Sequence, residues 1–251
     1  MPKFFVDNQN IQNNEIRIIG EDVNHIKNVL RKRIGEKIVL CNIDTSKDYS
    51  CEITKLEETA ITCNIVKELE TNSESNIKVT ILQGLPKADK MELIIQKSVE
   101  LGVYNIVPIE MKRCVVKLND KEKSKKIERW QKIAEVAAKQ SGRNRIPEIK
   151  KIESIKNICH LCQEYDIVLV AYEKEMENKL RYELEKLKIA KNHDLKIAVL
   201  IGTEGGIESS EIEILKENGA KIVTLGNRIL RTETVALNVL SIIMYELDEI
   251  G

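Results

Sequence analysis

Three glycines lie within the five residues 202–206 (GTEGG), directly after a short apolar run at residues 197–201. Glycines at this density allow positive φ angles and let backbone N–H and C=O groups approach a ligand closely. The next apolar run, at residues 221–225, leads into a second tight loop at residues 227–231. Because two successive strand ends each deliver a loop and then a helix, the pattern predicts a ligand site at one edge of an α/β sheet.

The glycine stretch matches neither of two common phosphate-binding fingerprints. It contains no G-x-G-x-x-G, and no Gly-Lys-Ser/Thr follows it. An isolated Gly-Gly pair is more often an ordinary tight turn. Here the second loop, which carries Arg228 and Arg231, favours a ligand site over a simple turn. That site is of neither the plain dinucleotide-binding type nor the phosphate-loop type.

From residue 77 onward, apolar strand patterns alternate with amphipathic helix patterns, which is typical of an α/β sheet. Strands are predicted at residues 78–82, 105–109, 167–171, 197–201 and 221–225. Helices are predicted at residues 89–101, 122–140, 178–187 and 232–247, the last with Thr232 as its N-cap. A further helix is predicted to start at a capping box of Ser210 and Glu213 and to end at Gly219, and residues 188–194 are a predicted polar loop.

Residues 1–70 have a different pattern. Short β-branched runs at residues 38–41, 49–53 and 60–66 are separated by polar turns, and a helix pattern lies at residues 22–30. This predicts a compact β-barrel domain over residues 1–70. Residues 71–76 have no periodicity and form the predicted linker, so the α/β domain is expected over residues 77–251.

The composition is that of an ordinary soluble protein, with 42% hydrophobic residues, 32% charged residues and a formal net charge of zero. No apolar run reaches the roughly 18 residues of a membrane span, and no signal peptide is recognised, so a cytoplasmic location is expected. The six cysteines are then expected as thiols. Cys159 and Cys162 form a lone C-x-x-C without a second ligand pair, and no metal is expected.

The basic residues are unevenly distributed. Residues 112–151 contain fourteen Lys and Arg against five Asp and Glu, and residues 25–37 contain five against one. Charge runs are most often solvated surface. Two basic clusters on a neutral chain nevertheless favour a defined RNA-binding surface over a general nucleic-acid coat.

Several segments resemble one family. Residues 201–213 (IGTEGGIESSEIE) and 225–240 (LGNRILRTETVALNVL) resemble the two C-terminal motifs of the bacterial 16S rRNA (uracil-N3) methyltransferases of the SPOUT superfamily. Further similar segments follow the same order along nearly the whole chain: the series from His25 to Gly35, residues 90–103, Pro108 with Arg113-Cys114, and residues 129–147. Two departures are Thr203, where the family more often has proline and a looser turn is expected, and residues 32–36, where it often has Met and Asp.

The resemblance implies a SPOUT-type α/β-knot methyltransferase domain behind a PUA-like β-barrel that binds RNA. It implies S-adenosylmethionine as the cofactor and a homodimer that builds its sites at the subunit interface. The last helix is apolar almost all round, which a central core helix would explain equally well. The implied substrate is a uridine in the decoding region of 16S rRNA, within the assembled small ribosomal subunit, and no membrane partner is expected.

The resemblance also assigns residues to the site, with the cofactor held at three strand ends. The cofactor-binding residues it implies are Val170, Ala171, Ile201, Gly202, Thr203, Glu204, Gly205, Gly206, Leu225, Gly226, Asn227, Leu230, Arg231 and Thr232, and Tyr172 belongs to the same wall as Ala171. The RNA-binding residues it implies are His25, Arg31, Arg33, Lys87, Lys90, Arg113, Gln140 and Arg143.

Methylation of uracil N3 requires that the imide proton leaves and that the resulting charge is stabilised. Arg113 and Arg231 are the catalytic candidates for stabilisation, because a guanidinium keeps its charge and is fork-shaped. Glu204 or Glu233 would take the proton if burial raised its pKa. Alternatively, Glu204 is an inert partner of a helix N-terminus, and Arg231 part of a surface ion pair.

Two other functions fit parts of the pattern. A SPOUT enzyme that methylates the ribose 2′-hydroxyl of rRNA or tRNA would share the cofactor loops, but the resemblance at residues 90–147 favours uracil N3. A non-catalytic RNA-binding protein of ribosome assembly would share the basic clusters, but it would have no need for the glycine loops.

Overall fold

The computed structural model describes residues 3–71, 73–190 and 194–247, with only the backbone described at residues 159, 161, 189 and 190. The packing of the backbone divides the chain into two units. The first extends to Glu74 and also includes Ala138–Ile146, and the second consists of Ser75–Ala137 and the chain from Pro147 onward. The first unit therefore includes a segment that the sequence-based boundaries assign to the α/β domain.

The first unit is built on a curled sheet of six strands: β1 (Lys3–Val6), β2 (Ile11–Gln12), β3 (Glu15–Ile19), β4 (Lys37–Asn42), β5 (Lys47–Leu56) and β6 (Ala60–Leu69). Their spatial order is β1-β4-β5-β6-β3-β2, and only the pair β1 and β4 is parallel. Along β3, buried Ile16 and Ile18 alternate with exposed residues, as expected for a strand with one face on a core. Phe4, Leu40 and Ile53 pack in the same core.

The predicted strands at residues 38–41, 49–53 and 60–66 are confirmed as parts of β4, β5 and β6. The sequence interpretation missed β1, β2 and β3. The helix predicted at residues 22–30 is confirmed only in part, because α1 (Glu21–Asn24) continues as a wider π-helical turn over His25–Val29. Arg31 then adopts a left-handed φ of 53°, which cannot continue a right-handed helix.

The second unit is built on a parallel sheet with the order β10-β8-β7-β12-β11-β13, and β9 also pairs with β8. Its strands are β7 (Lys78–Gly84), β8 (Asn105–Glu110), β9 (Glu148–Ile149), β10 (Glu153–Ser154), β11 (Ile167–Ala171), β12 (Lys196–Ile201) and β13 (Lys221–Val223). The helices are α2 (Lys90–Glu100), α3 (Asp120–Ser141), α4 (Ile155–Leu161), α5 (Leu180–Ala190), α6 (Ser209–Glu217) and α7 (Thr232–Glu246), and α3 runs from the second unit into the first. The central strands are buried along almost their whole length, because helices cover both faces of such sheets.

Strand and helix types in the second unit are largely as predicted, but several boundaries differ: β13 ends at Val223 and not at residue 225, and α5 begins at Leu180 and not at residue 178. The N-cap of α6 is Glu208, which forms a capping box with Glu211, because a carboxylate accepts the N–H groups of a helix start as a hydroxyl does. Arg231, and not Thr232, is the N-cap of α7. α5 runs to Ala190, into the polar loop predicted at residues 188–194, of which residues 191–193 lie outside the described chain. Short β9, β10 and α4 were not predicted.

Five cysteines in the described part of the chain are free thiols, and four of them are buried. Burial raises the pKa of Cys51 and Cys63 to about 12, so both are protonated at neutral pH. Within residues 3–71, 73–190 and 194–247, the structure has no helix that is both long and apolar enough for a membrane span.

Candidate active site

A cleft lies at the carboxyl ends of β11 and β12, beside the loop that follows β13. It contains about 560 Å³ of space, part of which is open solvent, so it is an open cleft and not an enclosed cavity. β11 lies between β12 and β13 in the sheet, which brings the loops after all three strands together. The cleft is lined by Ala171, Tyr172, Glu173, Ile201, Gly202, Thr203, Gly206, Thr224, Leu225, Gly226, Arg228, Ile229, Leu230, Thr232 and Val235.

The glycine stretch forms a tight turn over residues 203–206. The Gly206 N–H donates to the Thr203 carbonyl at 2.9 Å, and the Gly205 N–H donates to the Thr203 hydroxyl at 3.2 Å. Thr203 thus adds one side-chain hydrogen bond to the turn. Gly206 has a φ of 72°, a conformation that residues with a side chain rarely adopt.

Nine of the fourteen predicted cofactor-binding residues line this cleft: Ala171, Ile201, Gly202, Thr203, Gly206, Leu225, Gly226, Leu230 and Thr232. Five do not. Val170 lies in the core of the sheet. Gly205 contacts Arg113, Glu204 contacts the start of α2, and Asn227 and Arg231 lie on the exposed side of their loop.

Glu173, Thr224, Arg228, Ile229 and Val235 line the cleft but were not predicted. Glu173 and Arg228 are the charged residues of the lining, so they give the cleft one acidic and one basic group. Glu173 lies two residues after the end of β11, a position that the strand-end argument would have reached if it had been extended by one residue beyond Tyr172.

Arg113 reaches the glycine turn from the loop after β8. Its Nη1 donates to the Gly205 carbonyl at 2.9 Å, and its Nε donates to the Glu208 carboxylate at 2.8 Å. This hydrogen bond raises the pKa of Arg113 and lowers the pKa of Glu208. Because Glu208 also caps α6, Arg113 ties the turn to the helix start, and its guanidinium is already engaged by the protein's own groups.

Replacing Arg113 with Ala should weaken cofactor binding about three- to tenfold, since the turn loses a charged hydrogen bond that is partly exposed. Glu208→Gln, which removes the charge but retains an acceptor for the helix cap, should have a smaller effect. Titration calorimetry at low and high salt measures the cofactor affinity of both variants. An Arg113→Ala protein that binds cofactor normally but has lost methyl transfer would instead make Arg113 a catalytic group.

Glu204 contacts the loop and helix that follow β7. Its Oε1 accepts a hydrogen bond from the Lys87 backbone N–H at 3.1 Å and lies 3.0 Å from the Lys90 ammonium. Glu233 Oε2 lies 3.4 Å from the same ammonium. Burial raises the pKa of Glu204, but hydrogen bonds from its own backbone, Lys90 and Lys87 outweigh burial and hold the pKa below its usual range. The condition under which Glu204 was predicted as the base, a pKa raised by burial, is therefore not met.

The predicted RNA-binding residues differ in how freely they face solvent. In the second unit, the Lys87 side chain is exposed, whereas the Lys90 ammonium lies between two carboxylates. In the first unit, Arg31, Arg33 and Gln140 are exposed. The His25 ring packs edge-to-face on Phe4, with 5.6 Å between ring centroids.

Arg143 contradicts its predicted role as an RNA phosphate contact. Its side chain is buried in the first unit, with the whole residue only 4% exposed, and it pairs with the Glu74 carboxylate through two hydrogen bonds. The Asn144 N–H donates to the same carboxylate at 3.0 Å, and its side-chain oxygen accepts from Lys3 at 3.2 Å. Arg143 therefore fixes the segment Ala138–Ile146 within the first unit, and its buried guanidinium is not accessible to an RNA phosphate.

Replacing Arg143 with Ala should lower the free energy of unfolding by about 3 kcal/mol, because it leaves the Glu74 carboxylate partly buried and without its charge partner. Burial raises the pKa of Glu74, but the hydrogen bonds from Arg143 and Asn144 lower it further, so the net pKa lies below 4.5. The stabilisation is thus present above pH 4.5 and is lost as the pH falls through the lower folded value.

Urea unfolding of both proteins between pH 3 and pH 7 would measure this difference. Arg129→Ala is the matched control, because Arg129 is 65% exposed in its pair with Glu92 and such surface pairs contribute about 0–1 kcal/mol. If Arg143→Ala kept full stability and lost RNA affinity, the buried pair would not be the role of this residue.

Arg231, unlike Arg113, has a guanidinium that is not engaged by other groups of the protein in the described part of the chain. It precedes α7 as the N-cap, with a φ of −68° and a ψ of 150°, and its side chain is exposed. Among the residues that the structure describes, its guanidinium has no hydrogen bond or ion pair. It adjoins Thr232, which lines the cleft, so the arginine is free to contact a molecule that approaches the cofactor cleft from solvent.

The chemistry of the cleft suits an organic cofactor better than a metal ion. Within the described ranges, no group of three or more His, Cys, Asp and Glu side chains is arranged to hold a metal. The cleft instead offers backbone groups of two tight loops, apolar walls and one residue of each charge. A cofactor that carries an adenine, a sugar and a charged amino-acid end fits such a lining.

Two family models match the chain. The RNA methyltransferase domain matches residues 73–244, and the RNA methyltransferase PUA domain matches residues 18–66. These matches fall mainly on the second and the first unit, respectively.

Individual relatives match over nearly their whole length. The chain is 37% identical to a ribosomal RNA small subunit methyltransferase E of Bacillus subtilis, over 99% of this chain and 98% of the relative. It is 31% identical to the protein of the same name in Mesomycoplasma hyopneumoniae, over 96% and 98%. Its fold is similar to the crystal structure of a ribosomal RNA small subunit methyltransferase E from Neisseria gonorrhoeae bound to S-adenosylmethionine, with a TM-score of 0.83, 30% identity, and coverage of 98% and 97%.

Proposed function

Because the chain belongs to the ribosomal RNA small subunit methyltransferase E family, we propose that it methylates N3 of a uridine in the decoding region of 16S rRNA. The fold is the SPOUT-type α/β methyltransferase domain with an N-terminal PUA domain. S-adenosylmethionine is the methyl donor, as in the bound relative. The reaction takes place in the cytoplasm.

One observation carries this proposal beyond the family. A cleft walled by two tight backbone loops adjoins an exposed arginine without a partner among the described residues. The loops can hold the donor through backbone N–H and C=O groups, and the arginine can reach an acceptor that approaches from solvent. Bound S-adenosylmethionine supplies an electrophilic methyl group, so the protein's task is orientation and charge stabilisation.

The chain's own residues divide this task. The turn at residues 203–206 and the loop that contains Gly226 hold and orient the donor. Arg231 stabilises the negative charge that spreads over the uracil oxygens as the N3 proton leaves. Glu233 is the proposed proton acceptor: both carboxylates pair with the Lys90 ammonium, but Glu204 is also held by the Lys87 backbone N–H.

RNA contact is proposed for the exposed basic residues alone. In the first unit these are Arg31 and Arg33, and in the second unit they are Lys87 and Arg231. Guanidinium and ammonium groups of this kind neutralise phosphates and release counterions. Arg143, which is buried against Glu74, does not belong to this set.

A homodimer is proposed from the surface of α7. Val235, Leu237 and Ile242 are only half-buried, and Tyr245 is 66% exposed, although the helix is apolar almost throughout. A second copy of the chain would cover this surface. Light scattering after size exclusion should give twice the mass of the chain, and a monomer at micromolar concentration would overturn this part of the proposal.

The test is transfer of labelled methyl from S-adenosylmethionine to small ribosomal subunits that lack the native modification, followed by nucleoside mass spectrometry. The expected product is 3-methyluridine, with assembled subunits as better substrates than free 16S rRNA. A ribose-methylated product would keep the cofactor site but overturn the uracil-N3 assignment. If the protein does not bind S-adenosylmethionine, the whole proposal fails.

A further inference from the structure

Gln83 is a fully buried polar residue at the end of β7 that sequence reasoning did not connect with the cofactor site. It is 0% exposed, and in the sheet it pairs with Ile201, the last residue of β12. Its Nε2 donates to the Thr232 hydroxyl at 2.9 Å and to the Gly84 carbonyl at 3.0 Å. The Thr232 hydroxyl in turn donates to the Gly202 carbonyl at 2.7 Å.

The direction of this chain of hydrogen bonds follows from its chemistry. A hydroxyl has one proton, and Thr232 directs it to the Gly202 carbonyl, which can only accept. The contact between Thr232 and Gln83 must therefore have the amide N–H as donor. The Gly84 carbonyl also requires a donor, so both partners of the amide select its nitrogen and fix its orientation.

The three hydrogen-bonded residues connect three different elements. Gln83 belongs to β7, Gly202 opens the glycine turn after β12, and Thr232 is the first residue of α7. Gly202 and Thr232 both line the cleft, whereas Gln83 does not. Gln83 thus contacts the cleft only indirectly, through its hydrogen bond to the hydroxyl of Thr232.

The backbone beside Gln83 has little freedom to move. A Cβ on Gly84 would lie 2.6 Å from Met111 Sδ and 3.1 Å from the Ile201 carbonyl oxygen. The end of β7 therefore lies tightly against the end of β12. A donor on such a fixed strand can define the position of its acceptor more closely than a donor on a loop can.

We propose that Gln83 is a positioning residue for the cofactor cleft: it holds the Thr232 hydroxyl in the orientation that ties the first helical turn of α7 to the Gly202 carbonyl. The identity of the cofactor in this inference rests on the proposed function. The coupling between the glycine turn after β12 and the loop that leads into α7 does not depend on it. Loss of the Gln83 donor should loosen both loops and weaken binding of S-adenosylmethionine, while the rest of the second unit stays intact.

Two single variants and their combination test the proposal. Gln83→Met removes the donor at similar volume, and Thr232→Val removes the hydroxyl at similar shape. Each removes the hydrogen bond between Gln83 and Thr232 and one further hydrogen bond of its own side chain, so each should weaken binding of S-adenosylmethionine, measured by calorimetry, by at least about five- to tenfold. Because both substitutions act on one chain of hydrogen bonds, their effects should not add. The affinity of the double variant for S-adenosylmethionine should be about that of the single variant that binds less tightly. Thr232→Ser, which retains the hydroxyl, should bind nearly as the wild type does.

Hydrogen exchange without cofactor gives an independent readout. In Gln83→Met and Thr232→Val, amides at residues 200–207 and 226–235 should exchange faster, with unchanged exchange in β8 and α3. Ser98→Ala is the matched control: its hydroxyl is also fully buried, has no hydrogen bond among the described groups and lies in α2, so this variant should affect neither readout.

The outcomes separate the two proposals. Fully additive effects of the two variants, or unchanged exchange in both loops, would overturn the role of Gln83 even if the protein methylates rRNA. If the wild type does not bind S-adenosylmethionine but the variants loosen both loops together, the proposed function fails and the coupling stands. Faster exchange throughout the second unit in both variants would reduce Gln83 to a general stabilising residue and would contradict the proposal.

Discussion

Arg231→Ala should slow methyl transfer by about 10²- to 10³-fold, the effect of removing one donor that stabilises a developing negative charge. Binding of S-adenosylmethionine should change by less than about twofold, because Arg231 does not line the cleft. The main chain should be unaffected, since the N-cap contact that Arg231 provides to α7 is its backbone carbonyl, which accepts from the Val235 N–H at 2.9 Å. Single-turnover methylation with saturating cofactor measures the chemical step directly.

Two control variants make this prediction specific. Arg231→Lys keeps the charge but loses the fork-shaped donor, so it should recover only part of the rate. Arg181→Ala removes an exposed arginine of α5 that pairs with Glu185, and it should leave the rate unchanged. Normal single-turnover rates with a raised requirement for RNA would show that Arg231 binds substrate and does not stabilise the reacting uracil.

The sequence treated Arg113 and Arg231 as equal candidates, and only the structure separates them. Both follow predicted strands, both lie in loops, and both belong to segments that resemble the family. Glu208, the partner that engages Arg113, is 95 residues away in the chain. Periodicity and spacing describe neighbours along an element, so they carry no information about an ion pair across such a distance.

The same limit explains the error at Arg143. Its position in a run of fourteen basic residues against five acidic ones predicts a solvated, RNA-facing surface. The partner Glu74 lies 69 residues earlier, within the predicted linker, and the pair is buried. A count of charges cannot distinguish an arginine that faces solvent from one that fixes a chain segment.

The features that the sequence did predict are those encoded locally. Apolar runs at β7, β11 and β12 are continuous because these strands are buried on both faces, and such runs are visible without knowledge of their neighbours. The glycines at residues 202–206 are likewise local signals, since a tight turn restricts residue type directly. Gln83 carries no local signal, because its role appears only when β7, β12 and α7 are brought together.

The largest expected effect on cofactor binding is that of Gly202→Ala. A Cβ at this position would lie 2.9 Å from Ile207 Cγ1 and 3.1 Å from the carbonyl carbon of Gly206. Ile207 is buried and the second contact is backbone, so the turn itself must shift. Overpacking of this kind costs about 1–3 kcal/mol, and its consequence falls on the cleft, so affinity for S-adenosylmethionine should drop about 10- to 100-fold.

Gly205→Ala is a matched control within the same turn. Its Cβ would meet Arg113 Cβ at 3.3 Å and the Arg113 carbonyl oxygen at 3.4 Å, contacts that small shifts relieve, so affinity should fall by less than about fivefold. Gly206→Ala should lie between the two, because its φ of 72° is strained for alanine, while its close neighbour, the Glu173 carboxylate, ends a flexible side chain. Calorimetric titration should therefore show the largest loss of affinity for Gly202→Ala, which contacts the backbone, a smaller loss for Gly206→Ala, which strains φ, and the smallest loss for Gly205→Ala, whose contacts can adjust. Equal affinities across the series would mean that the cofactor does not lie against this turn.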